Sequence, residues 1–227
     1  RVTLNAYTRE RIDTPDGDFL DLDWLKQGSS RLVVISHGLE GNSSRAYIKG
    51  MARIFFKNGY DVLAWNYRGC SGEMNRKLRF YHSGATDDLN IVIDHAVNHG
   101  RYENISLIGF SLGGNITLKL LGESPPRPEI KKAVAISVPM DLRSSCEKIS
   151  RNTNWVYSYR FLRSLKNKII VKSAMMPGLN TDGIERIKTL KDFDDRYTAP
   201  LHGFADAFDY YKRCCSIFFL VKIRNSN

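Results

Sequence analysis

One pentapeptide, Gly109-Phe110-Ser111-Leu112-Gly113, constrains the fold of this chain more than any other part of the sequence. The run Ile105–Gly109 at its start is short, apolar and rich in β-branched residues, as expected of a buried strand. Residues 115–122 have the spacing of a helix and end at a glycine. The pattern G-x-S-x-G at such a junction predicts a sharp strand-to-helix turn, which holds the Ser111 hydroxyl clear of the sheet.

Strands and helices alternate along the first 140 residues, which predicts a mostly parallel sheet with helices on both faces. The predicted strands are Tyr7–Asp13, Phe19–Trp24, Arg31–Ser36, Asp61–Trp65, Ile105–Gly109 and Lys132–Ser137. The predicted helices are Ala46–Asn58, Thr86 to about His99, the helix after Ser111, and Gly203–Arg213. Together with the serine turn, this order is typical of the α/β-hydrolase fold.

The alternation stops after Pro139. Residues 141–200 contain helical pieces but no clear strand, and we expect this insertion to form a mainly helical cap over the carboxyl ends of the strands. A length of 227 residues is enough for one α/β domain with a sizeable core. The sequence therefore predicts a single α/β-hydrolase domain over residues 1–227, with a cap-like insertion at about 141–200.

Composition excludes several classes of protein. An apolar content of 42% and a charged content of 26% are ordinary for a globular protein. The four cysteines form no C-x-x-C pair and no zinc-like spacing with histidine: Cys70, Cys146, Cys214 and Cys215. We expect reduced thiols, a cytoplasmic location and no metal site.

The net charge of +10 is concentrated in one segment. Residues 142–191 contain eleven Lys and Arg against three acidic residues. Such a segment can attract an anionic membrane, or it can be an ordinary solvated helical surface, and the sequence leaves both alternatives open. No nucleic-acid-binding motif accompanies it, so we predict no nucleic-acid partner.

A serine at such a turn is a candidate nucleophile, and it needs amide donors for the oxyanion that would form on a substrate. In this fold one donor follows the serine, and the other lies in the loop after the third strand. The predicted donors are the backbone N–H groups of Leu112 and Leu39, the latter in the loop His37–Gly41. The glycines that the turn and the loop require are Gly38, Gly109 and Gly113.

A serine nucleophile also needs a base, which in this fold is a histidine that follows it in the chain. Four of the five histidines precede Ser111: His37, His82, His95 and His99. We interpret His37 as a residue that shapes the loop, and the pair at 95 and 99 as a surface pair without a third metal ligand. His202 follows Ser111 but lies just before a helix, so we do not predict it to be the base.

These motifs combine into a resemblance to the AB hydrolase-4 family of YheT-like α/β-hydrolases. It covers nearly the whole chain, from about residue 16 to residue 220. The stretches that carry it are His37–Asn42, Asn66–Glu73, Tyr81–Gly84, Gly109–Asn115 and His202–Asp206. The resemblance implies carboxylic-ester hydrolysis, with short-chain esters or acylglycerols as substrates and no cofactor.

The same resemblance places the acid and the histidine of the triad on later strands, so we expect both beyond Asn227 and the last strands of the sheet to be missing. On that expectation, the chain by itself is nearly inactive, and its exposed sheet edge makes it marginally stable or self-associating. The alternative is a non-catalytic pseudo-hydrolase that binds a lipid or a protein partner.

Overall fold

The computed structural model describes residues 7–100, 102–125 and 127–223. Its centre is a six-stranded sheet in the order β1-β2-β4-β3-β5-β6. The strands are β1 (Thr8–Asp13), β2 (Phe19–Leu25), β3 (Arg31–Ser36), β4 (Asp61–Asn66), β5 (Asn104–Phe110) and β6 (Ile130–Ile136). β2 is antiparallel to β1 and β4, and the other pairs are parallel. The mostly parallel sheet predicted from the sequence is therefore confirmed.

Three helices cover the two faces of this sheet: α1 (Ala46–Lys57), α2 (Thr86–Gly100) and α3 (Leu112–Glu123). Successive side chains of a strand point to opposite faces. In β3, Leu32 and Val34 belong to the same core cluster as α2 and α3. Val33 and Ile35 belong to a second cluster, with α1. β3 is buried from both sides because its apolar run is continuous, as expected of a central parallel strand.

A helical segment follows β6. It contains α4 (Leu142–Ile149), α5 (Trp155–Met175), α6 (Leu190–Phe193), a π-helical turn (Asp194–Thr198) and α7 (Ala199–Leu201), and α8 (Ala207–Cys214) comes next. The carboxylate of Asp141 caps α4 by accepting a hydrogen bond from the Ser144 amide (3.2 Å). Residues 141–200, all of them described, contain no strand, in agreement with the sequence pattern.

Most element ends differ from the prediction by one or two residues, and α8 begins at Ala207 instead of at Gly203. α3 continues through Gly122 to Glu123, so this glycine is not the helix stop that the sequence predicted. A Cβ at Gly122 would lie 2.3 Å from the carbonyl oxygen of Phe219. Gly122 therefore leaves room for the backbone at residue 219, which a residue with a side chain would not. β6 starts at Ile130, two residues before the predicted start, and pairs with β5 alone among the described residues.

No helix in the described part of the chain is both long enough and apolar enough to cross a membrane.

Candidate active site

Ser111 alone forms the turn between β5 and α3. Its backbone has φ 52° and ψ −117°, a conformation that residues other than glycine rarely adopt and that stores strain. Its amide donates to the carbonyl oxygen of Ile136 (2.8 Å), and its own carbonyl accepts from the Asn115 amide (3.1 Å). The strained residue is therefore fixed from both sides, by β6 and by the first turn of α3.

Glycines let this turn lie directly against the end of β3. A Cβ at Gly109 would lie 2.4 Å from the carbonyl oxygen of Gly113. A Cβ at Gly113 would lie 2.5 Å from the carbonyl oxygen of Ser36 and 2.6 Å from that of His37. These are backbone atoms of a central strand and its loop, so they have little freedom to move away.

We expect Gly113→Ala to lower the free energy of unfolding by about 1–3 kcal/mol, because the added methyl overpacks rigid backbone. Gly50→Ala is the matched control, since Gly50 lies within α1 and a Cβ there meets nothing within 4 Å. The control should be neutral or stabilising by up to about 1 kcal/mol, as alanine favours the helix. Denaturant unfolding measures both variants, and equal stability of the two would contradict the close contact.

Leu39 belongs to the loop after β3 and lines the same cavity as Ser111. On either side of Leu39, the Gly38 amide donates to the Tyr47 hydroxyl (3.0 Å) and the Glu40 amide donates to the Tyr81 hydroxyl (2.9 Å). Within the described residues, the amide of Leu39 forms no hydrogen bond. The two flanking amides are thus fixed by tyrosines while the one between them is available.

The second predicted donor, the amide of Leu112, opens α3 and also has no hydrogen-bond partner among the described residues. First-turn amides of a helix lack an intrahelical acceptor, and the helix dipole makes them favourable sites for negative charge. Leu39, Leu112 and Ser111 line one cavity. The structure therefore brings the predicted serine and both predicted donors together.

Glu40 connects the loop to the helical segment. Its carboxylate accepts hydrogen bonds from Tyr81 (2.6 Å), from Ser164 (2.5 Å) and from Lys168 (2.7 Å), the last two on α5. Burial alone would raise the pKa of Glu40, but the Lys168 ammonium and the hydroxyl donors hold it below its ordinary value. With φ 52°, Glu40 is itself strained, so these contacts fix the conformation of the loop that carries Leu39.

His37 is a structural residue of this loop. Its Nδ1 lies 2.8 Å from the carbonyl oxygen of Gly38, and its Nε2 accepts from the Tyr67 amide (3.3 Å). Burial lowers the pKa of His37 to about 3, so the ring is neutral. Both ring nitrogens are engaged, which leaves no lone pair for a proton from Ser111.

His202 lines the same cavity as Ser111, yet its ring is engaged in the same way. Its Nε2 accepts from the Phe80 amide (3.2 Å), and its Nδ1 lies 2.6 Å from the carbonyl oxygen of Thr198. His82 also lines the cavity; burial holds its pKa well below the ordinary value, and its Nδ1 accepts from the Gly84 amide (3.1 Å). Over the ranges that the structure describes, no histidine is hydrogen-bonded to Ser111.

The remaining two histidines lie on α2, where their rings stack with centroids 4.5 Å apart. His95 contacts Glu10 across a distance of 3.0 Å. Among the described residues, no group of three or more His, Cys, Asp or Glu side chains is placed to hold a metal ion.

A cavity of about 190 Å³ separates the serine turn from the helical segment. Its wall is mainly apolar and aromatic, and α5 contributes Phe161, Leu165 and Ile169 to it. An apolar cavity in front of a serine hydroxyl fits a substrate with a hydrocarbon part.

Asp194 introduces a carboxyl group into this cavity, and nothing in the sequence pattern pointed to it. It accepts hydrogen bonds from Thr198 (2.6 Å) and Tyr211 (2.8 Å). Within the described ranges, it forms no ion pair. Burial raises the pKa of Asp194 to about 6.

This shift predicts a pH dependence of stability. The unfolded carboxyl ionises near pH 4, so between about pH 4 and 6 the folded state holds a proton that the unfolded state has lost, and stability falls as pH rises. We expect Asp194→Asn to gain stability over the wild type by about 2 kcal/mol above pH 6, from the pKa difference less one weakened hydrogen bond. Below pH 4 that gain should be absent.

Urea unfolding of both proteins across this pH range tests the prediction, with Asp182→Asn as the control. Asp182 belongs to the same segment but is exposed, so its substitution should give no such pH-dependent gain. A stability difference for Asp194→Asn that stays constant with pH would contradict the prediction.

The sheet order and the serine turn at the carboxyl end of β5 are those of an α/β-hydrolase. The solved structure of esterase Pf2001 from Pyrococcus furiosus matches with a TM-score of 0.57 and 24% identity, over 70% of this chain and 66% of that chain. At that identity the likeness shows the fold. The chain belongs to the Hydrolase_4 family, described as serine aminopeptidase, S33, which matches residues 27–195. The resemblance to AB hydrolase-4 proteins is thereby confirmed.

Curated relatives share most of this chain. YheT of Escherichia coli is 35% identical over 94% of this chain and 65% of its own length. Phospholipase ABHD3 of Bos taurus is 29% identical over 92% of this chain and 53% of its own length. Monoacylglycerol lipase of Saccharomyces cerevisiae is 27% identical over 93% of this chain and 48% of its own length. The chain thus spans about half to two thirds of these relatives.

Proposed function

We propose that this protein is a serine carboxylic-ester hydrolase with Ser111 as its nucleophile. The observation that carries the proposal is the strained Ser111 turn at an apolar cavity that Leu39 and Leu112 also line, the amides of both forming no hydrogen bond within the described residues. The names of two relatives, a phospholipase and a monoacylglycerol lipase, support an ester or lipid substrate. Short-chain esters or acylglycerols are the substrates that we propose.

In the proposed reaction, the Ser111 oxygen attacks the ester carbonyl carbon, and the carbonyl oxygen becomes negatively charged. The amides of Leu39 and Leu112 donate to that oxygen, and each such donor is worth about 3 kcal/mol of transition-state stabilisation. The apolar cavity wall holds the hydrocarbon part and excludes water, which strengthens both hydrogen bonds. No step of this reaction requires a cofactor.

The serine must lose its proton to a base. Both nitrogens of His37 and of His202 are engaged with the backbone, and His82 accepts a hydrogen bond at Nδ1, which places the proton of its neutral ring on Nε2. We therefore propose that the base and its orienting acid come from outside these 227 residues. A fluorophosphonate reagent tests this proposal, since it reacts covalently with an activated serine. We expect strong labelling of Ser111 in a longer polypeptide that extends over the length of the relatives, and little labelling of the 227-residue chain.

Each outcome of that experiment is informative. Labelling that mass spectrometry maps to Ser111 supports the enzyme. Strong labelling of the 227-residue chain would show that a base lies within it and would overturn the proposal about the base alone. No labelling of the longer polypeptide would contradict the hydrolase function.

The contact between Glu40 and α5 predicts a kinetic effect. Lys168→Met removes the ion pair that fixes the loop, so the Leu39 amide is held less accurately where the oxyanion forms. We expect kcat to fall about tenfold, which is less than the fall expected when an oxyanion donor is lost entirely, and KM to change little. Toward a water-soluble short-chain ester, Lys168→Arg should retain most activity, and Arg163→Met, which changes an exposed residue of the same helix, is the control. An equal loss in the control would contradict the role of Lys168.

A pseudo-hydrolase is the second candidate, favoured by the lack of any histidine hydrogen-bonded to Ser111 among the described residues. A longer polypeptide that binds a fatty acid in the cavity without labelling at Ser111 would establish it.

We further propose that residues 141–200 act as a cap of one hydrolase domain and that the protein works in the cytoplasm. Support for the location comes from the four cysteines, which are all free thiols. The basic segment 142–191 is proposed to contact an anionic membrane.

A further inference from the structure

Helix α5 (Trp155–Met175) carries five basic residues and no acidic one. They are Arg160, Arg163, Lys166, Lys168 and Lys172. Lys168 binds Glu40, and Lys172 is buried with its Nζ bound to Asn75 (2.7 Å). These two lysines fasten the helix to the rest of the protein. Arg160 and Arg163, in contrast, are exposed.

Large apolar side chains share the exposed face with these arginines. Trp155 is 65% exposed, Tyr159 57% and Ile170 48%. At 100° per residue, Trp155, Tyr159, Arg163 and Ile170 lie within a quarter of the helix circumference, and Arg160 lies about 60° beyond Arg163. A different face of α5, with Phe161, Leu165 and Ile169, lines the cavity, so the helix is apolar on both its inner and its outer side.

An ordinary solvated surface does not explain this face. Exposed apolar side chains that cluster, rather than scatter singly, mark an interaction surface. Tryptophan and tyrosine favour the boundary between lipid headgroups and acyl chains, because one end of each ring system is apolar and the other forms hydrogen bonds. Helices that lie on anionic membranes combine such aromatic residues with basic residues. The outer face of α5 has this second feature too, since its arginines have no acidic neighbours on the helix.

The charges also argue against a second copy of the chain as the occupant. In a two-fold dimer the same patch meets itself, so Arg160 and Arg163 would face their own copies and repel them. An anionic bilayer instead offers the opposite charge over the whole face.

We propose that the outer face of α5 docks on an anionic lipid bilayer, with Trp155 and Tyr159 at the interface and Arg160 and Arg163 on the headgroups. Only the purpose of this docking rests on the proposed function: it brings a lipid ester to the cavity on the inner side of α5. The binding itself needs neither Ser111 nor a base.

Vesicle flotation tests the proposal with phosphatidylcholine vesicles, with and without phosphatidylglycerol, at low and at high salt. We expect binding only to the anionic vesicles, and less of it at high salt. The double variant Arg160→Gln/Arg163→Gln should bind about thirtyfold more weakly, since each basic side chain near an anionic surface strengthens binding about fivefold. Trp155→Ala/Tyr159→Ala should weaken binding about tenfold.

Lys26→Gln/Lys57→Gln is the matched control, because it also removes two exposed cations. Lys26 follows β2 and Lys57 ends α1, at the end of the sheet opposite the serine turn. This control should bind like the wild type, and thermal unfolding should show that all three variants are folded.

Three results would overturn the proposal: no binding to anionic vesicles, equal binding to neutral ones, or an equal loss in the lysine control. Sedimentation that shows a dimer, abolished by Trp155→Ala/Tyr159→Ala and without vesicle binding, would assign the face to a second copy instead. Because Ser111 labelling is measured separately, failure of membrane docking and failure of the hydrolase function are distinguishable.

Discussion

Ser111→Ala is expected to lower ester hydrolysis by about 10⁴-fold or more, because it removes the oxygen that we propose attacks the ester carbonyl carbon. The fold should survive the change. The Ser111 hydroxyl forms no hydrogen bond within the described residues, and alanine keeps the Cβ of the serine and adds no bulk to the turn. Labelling by a fluorophosphonate should disappear together with the activity.

The measurement is made on a polypeptide that hydrolyses a short-chain ester such as p-nitrophenyl butyrate. Ser145→Ala is the control, since Ser145 lines the same cavity but belongs to α4 and not to the turn. We expect the control to retain both hydrolysis and labelling. Residual hydrolysis by Ser111→Ala near the wild-type rate, with unfolding unchanged, would show that another group is the nucleophile.

Local patterns were enough to predict the centre of this fold. β3 starts and ends at the predicted residues, Arg31 and Ser36, because its apolar run is continuous and bounded by polar residues. β6 was predicted two residues late, since the polar Lys131 separates Ile130 from the rest of the apolar pattern. Most of its side chains are exposed, so pairing of its backbone with β5, and not burial, defines the strand.

Part of the candidate site could likewise be predicted from the sequence, and part of it could not. Ser111 and the Leu112 amide are neighbours in sequence, so a short motif was enough to predict their juxtaposition. The bond between Glu40 and Lys168 joins residues 128 positions apart, and no periodicity or spacing indicates it. Asp194 likewise reaches the cavity only through the packing of the helical segment. The neutral state of His37 is a consequence of burial, which a sequence does not show.

The second prediction with a large expected effect concerns the stability contributed by Arg68. It is almost fully buried, and its guanidinium group donates to Asp88 (2.7 Å), to Asp16 (2.8 Å) and to Asp18 (3.0 Å). Asp16 and Asp18 belong to the turn between β1 and β2, whereas Asp88 belongs to the first turn of α2. One side chain therefore joins the hairpin to a helix on the sheet face. Arg68→Met leaves buried carboxylates without their cation, and we expect the free energy of unfolding to fall by about 3–5 kcal/mol.

The pH dependence of this loss separates charge from packing. Burial opposes ionisation of Asp16, yet hydrogen bonds from Thr14 and Arg68 bring its pKa down to about 2. A carboxyl with a lowered pKa stabilises the fold above about pH 4, and this contribution is lost as pH falls toward 2. The difference between wild type and Arg68→Met should therefore be full at neutral pH and shrink in acid. Arg76→Met, which breaks an exposed pair with Asp13, should cost at most about 1 kcal/mol. An equal loss in that control, or a loss that persists unchanged in acid, would contradict the role of Arg68 as the counter-charge of this cluster.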